Sequence, residues 1–287
     1  MSEGEKKLAD QKGKFAQVVV DGRKVPDLEW QGGRLILSNR RLVLVSSEGK
    51  KTIPLKKIQS IKGRQDVNDA LAKVSNYLSV QMGNDVMLLS PATQEAFEYQ
   101  MYTSILDQQV VFAKHPAVKG GVVQDTGWEK GRLKIEEGEV GLAIASGQFV
   151  EIKIDDVGEV EEKDSVVDGS ERRVLEVAHT VEATAVETHI SGTTRHMSIL
   201  ASLLRKGEFQ NTTDVDLSEE ESEVLMALYS GVSPFEIPDF TGMEVDTVEE
   251  TFESLTDSGI LEEVRIRRDI SLTARGRNIA AEAMDEE

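Results

Sequence analysis

Trp30-Gln31-Gly32-Gly33-Arg34-Leu35 recurs as Trp128-Glu129-Lys130-Gly131-Arg132-Leu133, 98 residues further along the chain. Both read Trp-x-x-Gly-Arg-Leu. A second pattern follows in the same order. Ile53-Pro54-Leu55-Lys56-Lys57-Ile58-Gln59-Ser60-Ile61 matches Ile152-Lys153-Ile154-Asp155-Asp156-Val157-Gly158-Glu159-Val160, 99 residues apart. Two patterns at nearly one offset define two copies of a unit of about 100 residues, a period that a repeat search looks for before anything else.

Each copy reads as β-sheet closed by a helix. In the first, Arg34–Ser38 and Arg41–Val45 are apolar runs split by the turn residues Asn39-Arg40. Glu48-Gly49 separates these from Thr52–Leu55. Ser75–Met82 and Val86–Leu89 flank Gly83-Asn84-Asp85, a hairpin turn. After Pro91, Phe97, Met101 and Ile105 recur every four residues on one helix face. The second copy repeats the plan. Strands are expected near Arg132–Ile135, Val140–Ala145, Phe149–Ile154, Val174–Ala178 and Glu182–Ile190, with Met197, Leu200, Ala201 and Leu204 facing inward from a closing helix. His115, before Pro116, reads as part of a linker.

About seven strands and a C-terminal helix is the plan of a pleckstrin-homology-like barrel. The run Gly33-Arg34-Leu35-Ile36-Leu37-Ser38-Asn39-Arg40-Arg41-Leu42-Val43-Leu44 resembles the second and third strands of GRAM domains. That resemblance implies a fold and not a function, since such barrels bind lipids, peptides and proteins alike.

The periodicity changes after a polar stretch at Gly207–Asp216. Ser218-Glu219-Glu220-Glu221 is a capping box ahead of Val224, Leu225 and Leu228. Ser233-Pro234 starts a second helix. Val248, Phe252 and Leu255 mark a third over Val245–Asp257, closed by Gly259. Ile260–Ile266 and Asp269–Leu272 read as a two-stranded wing, and Thr273 caps a last helix reaching Met284. The order is that of a winged helix-turn-helix. The expected fold is therefore α+β: two tandem pleckstrin-homology/GRAM-like β-barrels (residues 1–117 and 118–207), a linker (208–216) and a winged-helix domain (217–287).

Composition narrows the function. The 287 residues carry 33 Lys+Arg and 52 Asp+Glu, a net charge of −19. Residues 1–120 hold a net of +5 and residues 121–287 a net of −24. The chain has no Cys, which excludes disulfides, thiolate metal sites and Cys nucleophiles. No apolar run approaches the ~18 residues of a membrane span, and the start lacks the apolar segment of a secretory signal; a soluble, cytoplasmic protein is expected. The four histidines (His115, His179, His189 and His196) form no metal-binding helical pair, and no phosphate loop, nucleophile elbow or dinucleotide fingerprint occurs. Neither an enzyme nor a cofactor is expected.

Winged helices commonly bind DNA. Here the recognition helix carries Glu244, Asp246, Glu249, Glu250, Glu253 and Asp257 and no Lys or Arg. Such a helix cannot neutralise the phosphates that dominate affinity for a duplex. Arg265, Arg267 and Arg268 on the wing, with Arg275 and Arg277 on the last helix, leave a transcription regulator as the alternative reading. The first copy displays Arg40, Arg41, Lys50, Lys51, Lys56, Lys57, Lys62 and Arg64, a surface for an acidic protein or an anionic headgroup.

Glu29-Trp30-Gln31-Gly32-Gly33-Arg34-Leu35-Ile36-Leu37-Ser38-Asn39-Arg40-Arg41-Leu42-Val43-Leu44, followed by Thr52-Ile53-Pro54-Leu55, resembles the archaeal taxis protein family CheF, and the acidic bias resembles its haloarchaeal members. The resemblance extends from about Lys14 to Met284. It implies an adaptor that links the phosphorylated response regulator CheY to the switch proteins of the archaellum, with ties to CheB, CheC and CheD, dimer formation, and a C-terminal regulator-binding module. No family motif transfers residue by residue, so the candidate contacts are chosen on charge. They are Arg265, Arg267, Arg268, Arg275, Arg277, Glu249 and Glu253 for the regulator, and Lys50, Lys51, Lys56, Lys57, Lys62 and Arg64 for the motor. Neither nucleic acid nor membrane insertion is expected.

Overall fold

The computed structural model describes residues 4–26, 28–62, 77–181, 184–211 and 217–261. The chain divides into two compact units, Met1–Thr213 and Asp214–Glu287. Its fold is mixed α and β, with antiparallel sheets in the first unit and helices in the second.

The first sheet is built from β1 (Lys7–Val20), β2 (Arg23–Lys24), β3 (Gln31–Ser38), β4 (Arg41–Ser46), β5 (Gly49–Pro54), β6 (Ser60–Lys62), β7 (Leu78–Met82) and β8 (Asp85–Pro91), with α1 (Gln94–Leu106) after it. The second repeats this with β9 (Val110–Lys119), β10 (Val122–Val123), β11 (Glu129–Glu136), β12 (Glu139–Ile144), β13 (Phe149–Lys153), β14 (Val157–Val167), β15 (Ser170–Val181), β16 (Thr184–Ser191) and α2 (Thr194–Asn211). The strand orders are β5-β4-β3-β1-β8-β7-β6 and β13-β12-β11-β9-β16-β15-β14, the same path twice. The repeat seen in the sequence is therefore a repeat of topology.

The shared motif has a physical role in each copy. Leu35 and Leu133 are fully buried, while the neighbouring arginines point outward. A Cβ on Gly33 would lie 1.9 Å from the Val45 carbonyl oxygen, and one on Gly131 would lie 3.1 Å from that of Ala143. At Gly33 only glycine lets the adjoining strand come so near, while at Gly131 the contact is tight. Arg34 donates to Asp10 at 2.7 Å, and Arg132 to the Gln108 carbonyl at 3.3 Å.

The closing helices bury the faces their periodicity predicts. Phe97, Met101 and Ile105 are buried on α1, as are Met197, Leu200, Ala201 and Leu204 on α2. Both helices touch the other copy as well as their own, α1 packing on β11 and α2 on β6. One apolar core consequently runs from Phe15 and Leu35 through Leu106 into Val111, Leu133 and Leu204. Lys206 of α2 lies 2.7 Å from the carboxylate of Glu98, a buried residue of α1, and 5.7 Å from the Tyr102 ring centroid.

Two sequence expectations need correction. His115 sits within β9 and not in a linker, because Val111, Ala113 and Ala117 are buried and Val110–Lys119 pairs with both β11 and β16. The polar stretch from Gly207 begins as helix, since α2 continues to Asn211. Gly207 is required there: a Cβ would lie 1.7 Å from the Ile154 carbonyl oxygen.

The second unit contains α3 (Glu219–Tyr229), α4 (Ile237–Thr241) and α5 (Val245–Asp257). The capping box forms as expected: the Ser218 hydroxyl accepts from the Glu221 N–H at 3.1 Å, and the Glu221 carboxylate accepts from the Ser218 N–H at 2.9 Å. Val224, Ala227, Ile237, Val248 and Leu255 form its core, with Phe252, Ile260 and Leu261 against it. Gly259, at φ +70°, follows the end of α5. The expected wing beyond Leu261 and the last helix lie outside the described residues.

Candidate protein-binding surfaces

Lys50 and Lys51 lie on β5, an edge strand of the first sheet. Lys56 and Lys57 lie in the 3-10 turn Leu55–Lys57, and Lys62 ends β6. All five are exposed. None is ion-paired among the described residues; Lys51 donates to the Gln17 side-chain oxygen. Arg64 lies outside the described residues.

The basic turn is anchored from both sides. Leu55 and Ile58 are buried. Arg195, at the start of α2, donates from Nε to the Ile58 carbonyl at 2.6 Å and from Nη2 to the Leu55 carbonyl at 2.8 Å. The third guanidinium nitrogen, Nη1, meets His196 Nε2 at 2.9 Å. The second copy forms the matching 3-10 turn at Ile154–Asp156, with Asp155 and Asp156 where the first copy has Lys56 and Lys57.

Glu249 and Glu253 lie on α5, exposed with Glu244, Asp246, Glu250 and Asp257. Val248, Thr251 and Leu255 turn inward, so the helix buries an apolar face and presents carboxylates on the other. Ser254 on α5 donates to Glu221 of α3 at 2.7 Å. The Ser218 N–H and the Ser254 hydroxyl hold the Glu221 carboxyl below the usual carboxylate range. Arg265, Arg267, Arg268, Arg275 and Arg277 lie outside the described residues.

The same unit exposes apolar side chains that sequence reasoning did not single out: Tyr229 at 95%, Phe235 at 94%, and also Met226 and Phe240. On α3 the buried face is Val224 and Ala227, which leaves Met226 and Tyr229 on another face. Their spacing from Val224 was the available signal.

Three of the four histidines occupy two polar clusters in the second sheet. His115 Nδ1 and His179 Nε2 both contact the Thr188 hydroxyl, at 2.7 and 2.8 Å. Thr188 and His179 are buried, while His115 is half-buried. Burial, with some repulsion from His115, pushes His179 down to about 4; burial and Lys119 lower His115. The other cluster joins Glu176, Glu187 and His189, half-buried groups whose ligand-type atoms lie within 4.8 Å of one another. Lys163 lies 2.6 Å from Glu176 and already supplies a cationic partner. No helix among the described residues is long and apolar enough to cross a membrane. What these residues offer to the outside is thus a pair of oppositely charged surfaces, one on each unit.

Comparison with known proteins agrees with a signalling role. The family model described as Archaeal Chemotaxis signal transduction system protein F matches residues 7–210, and a domain of unknown function (DUF8579) matches residues 216–285. The chain is 50% identical over 290 residues to Taxis protein CheF1 of Halobacterium salinarum, covering 100% of both chains. It is 26% identical over 266 residues to Taxis protein CheF2 of the same organism, covering 88% of this chain and 90% of that one. A crystal structure of the C-terminal domain of an unknown protein from Leishmania infantum aligns with 36% of this chain and 84% of its own, at 20% identity and a TM-score of 0.25, too low to bear on the fold. The chain belongs to the CheF family of archaeal chemotaxis signal transduction proteins.

Proposed function

We propose that this protein is a non-enzymatic adaptor of archaeal taxis. In this reading it binds phosphorylated CheY and the switch proteins of the archaellum, and so carries the signal that sets the sense of rotation. Its sheets are pleckstrin-homology/GRAM-like barrels, within residues 1–117 and 118–207. A linker beyond α2 leads to a winged helix at 217–287 that serves as a docking module. It acts at the cytoplasmic face of the motor, as a dimer, with CheB, CheC and CheD as further partners.

The observation that carries this reading is the opposition of charge between the lysine surface of the first unit and the carboxylate face of α5 in the second. Five exposed lysines with no ion pair among the described residues lie on the first, and the carboxylates of α5 lie on the second. An adaptor needs two surfaces that are occupied together, and differential affinity for the phosphorylated regulator. The shift it imposes is bounded by that difference, about 1–3 kcal/mol for coupled sites. Carboxylates on α5 disfavour the DNA-binding alternative, because a duplex repels them. Glu249 and Glu253, with Arg265, Arg267, Arg268, Arg275 and Arg277, are the proposed regulator contact. Lys50, Lys51, Lys56, Lys57, Lys62 and Arg64 are the proposed motor contact.

The test is binding of CheY at native salt, with and without a phosphate mimic. Tighter binding with the mimic, lost on charge reversal at Arg265, Arg267 and Arg268, is the expected result. Equal binding in both states overturns the adaptor reading. Retention on duplex DNA with a steep salt dependence would replace it with the transcription-regulator reading.

A further inference from the structure

The lysine surface lies along β5, whose outer edge pairs with no strand among the described residues. Six residue pairs join β5 to β4, from Ser46–Gly49 to Arg41–Pro54, without a register shift. The Leu55 N–H donates to the Arg40 carbonyl at 2.9 Å. Antiparallel pairing alternates, so every second residue of β5 bonds inward to β4. Counting back from Leu55, these are Ile53, Lys51 and Gly49. The N–H and C=O groups of Lys50 and Thr52 therefore point away from the sheet, and both residues are exposed.

Charge follows the same edge. From Gly49 to Lys62 there are five Lys and no Asp or Glu. The matching stretch of the second copy, residues 148–161, has five Asp and Glu and one Lys. The same strand and 3-10 turn form in both copies, with Ile53 and Ile58 buried as Ile152 and Val157 are, so this local fold does not require the lysines. In a protein with a net charge of −19, five neighbouring lysines without an ion-pair partner among the described residues favour an anionic partner. Lysines on an edge also discourage pairing between like edges, which favours an acidic partner over a second copy of this one.

We propose that β5 is a docking edge for an acidic, extended segment of another protein, which adds to the sheet as a further strand. Outward N–H and C=O groups of Lys50 and Thr52 would bond its backbone, and the lysines of β5 and the 3-10 turn would flank its carboxylates. Thr52 is the position that decides the backbone register. This deepens the motor-contact reading and rests on taking the lysine surface as a protein contact. It does not depend on which protein is the partner.

The experiment is residue-level amide exchange on the full chain, with three probes. They are a short capped peptide of alternating Thr and Glu, its Thr/Lys counterpart, and vesicles containing phosphatidylglycerol. The Thr/Glu peptide should slow exchange at Lys50 and Thr52 by about tenfold or more, leaving Lys51 and Ile53, already bonded to β4, little changed. The Thr/Lys peptide should do nothing. Thr52→Pro removes one outward N–H at a position where an edge strand tolerates proline, and should abolish the protection. Joint charge reversal at Lys50, Lys56 and Lys57 should do the same without touching the backbone.

Peptide binding without protection at Lys50 and Thr52 overturns the proposal. So does protection by vesicles alone. Purified archaellum switch proteins are the fourth probe. Protection by the peptide and not by these proteins leaves the edge standing and defeats the motor reading. Binding of the switch proteins without protection at Lys50 and Thr52 defeats the edge and leaves the motor reading intact.

Discussion

Arg195 donates to the carbonyl of Ile58 at 2.6 Å across 137 residues of sequence, tying the closing helix of the second copy to the basic turn of the first. A second bond from the same guanidinium reaches the Leu55 carbonyl. The fork thus holds both ends of the 3-10 turn that displays Lys56 and Lys57.

Arg195→Ala should destabilise the first unit by about 2–3 kcal/mol, since it strips a charged donor from two buried carbonyls. Arg195→Lys keeps the charge but loses the planar fork, and should recover only part of the loss. Urea unfolding followed by sheet circular dichroism measures both. Equal stability of the wild type and Arg195→Ala would show that the fork does not anchor the turn.

Gly207→Ala should also destabilise, against the usual direction. In an open helix the change gains about 1 kcal/mol from propensity. Here the new methyl would meet the Ile154 carbonyl oxygen at 1.7 Å, a rigid backbone atom. Displacing α2 from the 154–156 turn should cost more than propensity returns, with a net loss of about 1–3 kcal/mol. A raised melting temperature for this variant would refute the close approach.

Stability should fall on mild acidification. His179 is held neutral in the folded chain, with its pKa depressed to about 4 from the ordinary 6.5. Below pH 6.5 the unfolded chain takes up a proton that the folded chain refuses. The neutral ring's contribution is therefore complete above that pH and declines as pH falls to about 4. The limiting slope is about 1.4 kcal/mol per pH unit. His179→Phe should flatten that dependence, while exposed carboxylates contribute equally to both proteins. Unfolding midpoints between pH 7 and pH 4.5 are the readout.

Ser218→Ala should cost the second unit about 1 kcal/mol by removing the cap on α3. Glu221→Gln retains an acceptor at the third helical position and should cost less. Amide exchange at the first turn of α3 separates the two, with faster exchange expected in Ser218→Ala.

The features legible in the sequence are those written in neighbouring residues. The Ser218/Glu221 cap, the inward faces of α1 and α2 and the Trp-x-x-Gly-Arg-Leu hairpins depend on spacings of a few residues. The lysine surface is legible for the same reason, because its charges are consecutive. β1 escaped because only Phe15, Ala16 and Val18 are buried along its 14 residues, so no alternation runs its length. It bonds to both β3 and β8, which makes backbone pairing its chief contribution. Arg195 was invisible because its partners are carbonyls, which any residue supplies. Tyr229 and Phe235 were hidden by chemistry, since an exposed aromatic and a buried one are the same letter.

The apolar core that runs through both sheets bears on how this chain came to differ between its halves. Once α1 rested on the second sheet and α2 on the first, neither half could be discarded without stripping the other. Leu35 and Leu133, alike in the two copies, lie in that one core. Interior positions changed among apolar residues, as Ile58 to Val157 and Ile61 to Val160, while outside Lys56 and Lys57 face Asp155 and Asp156 on the same backbone. Duplication left one body with two skins, and the opposite charges on them record that specialisation.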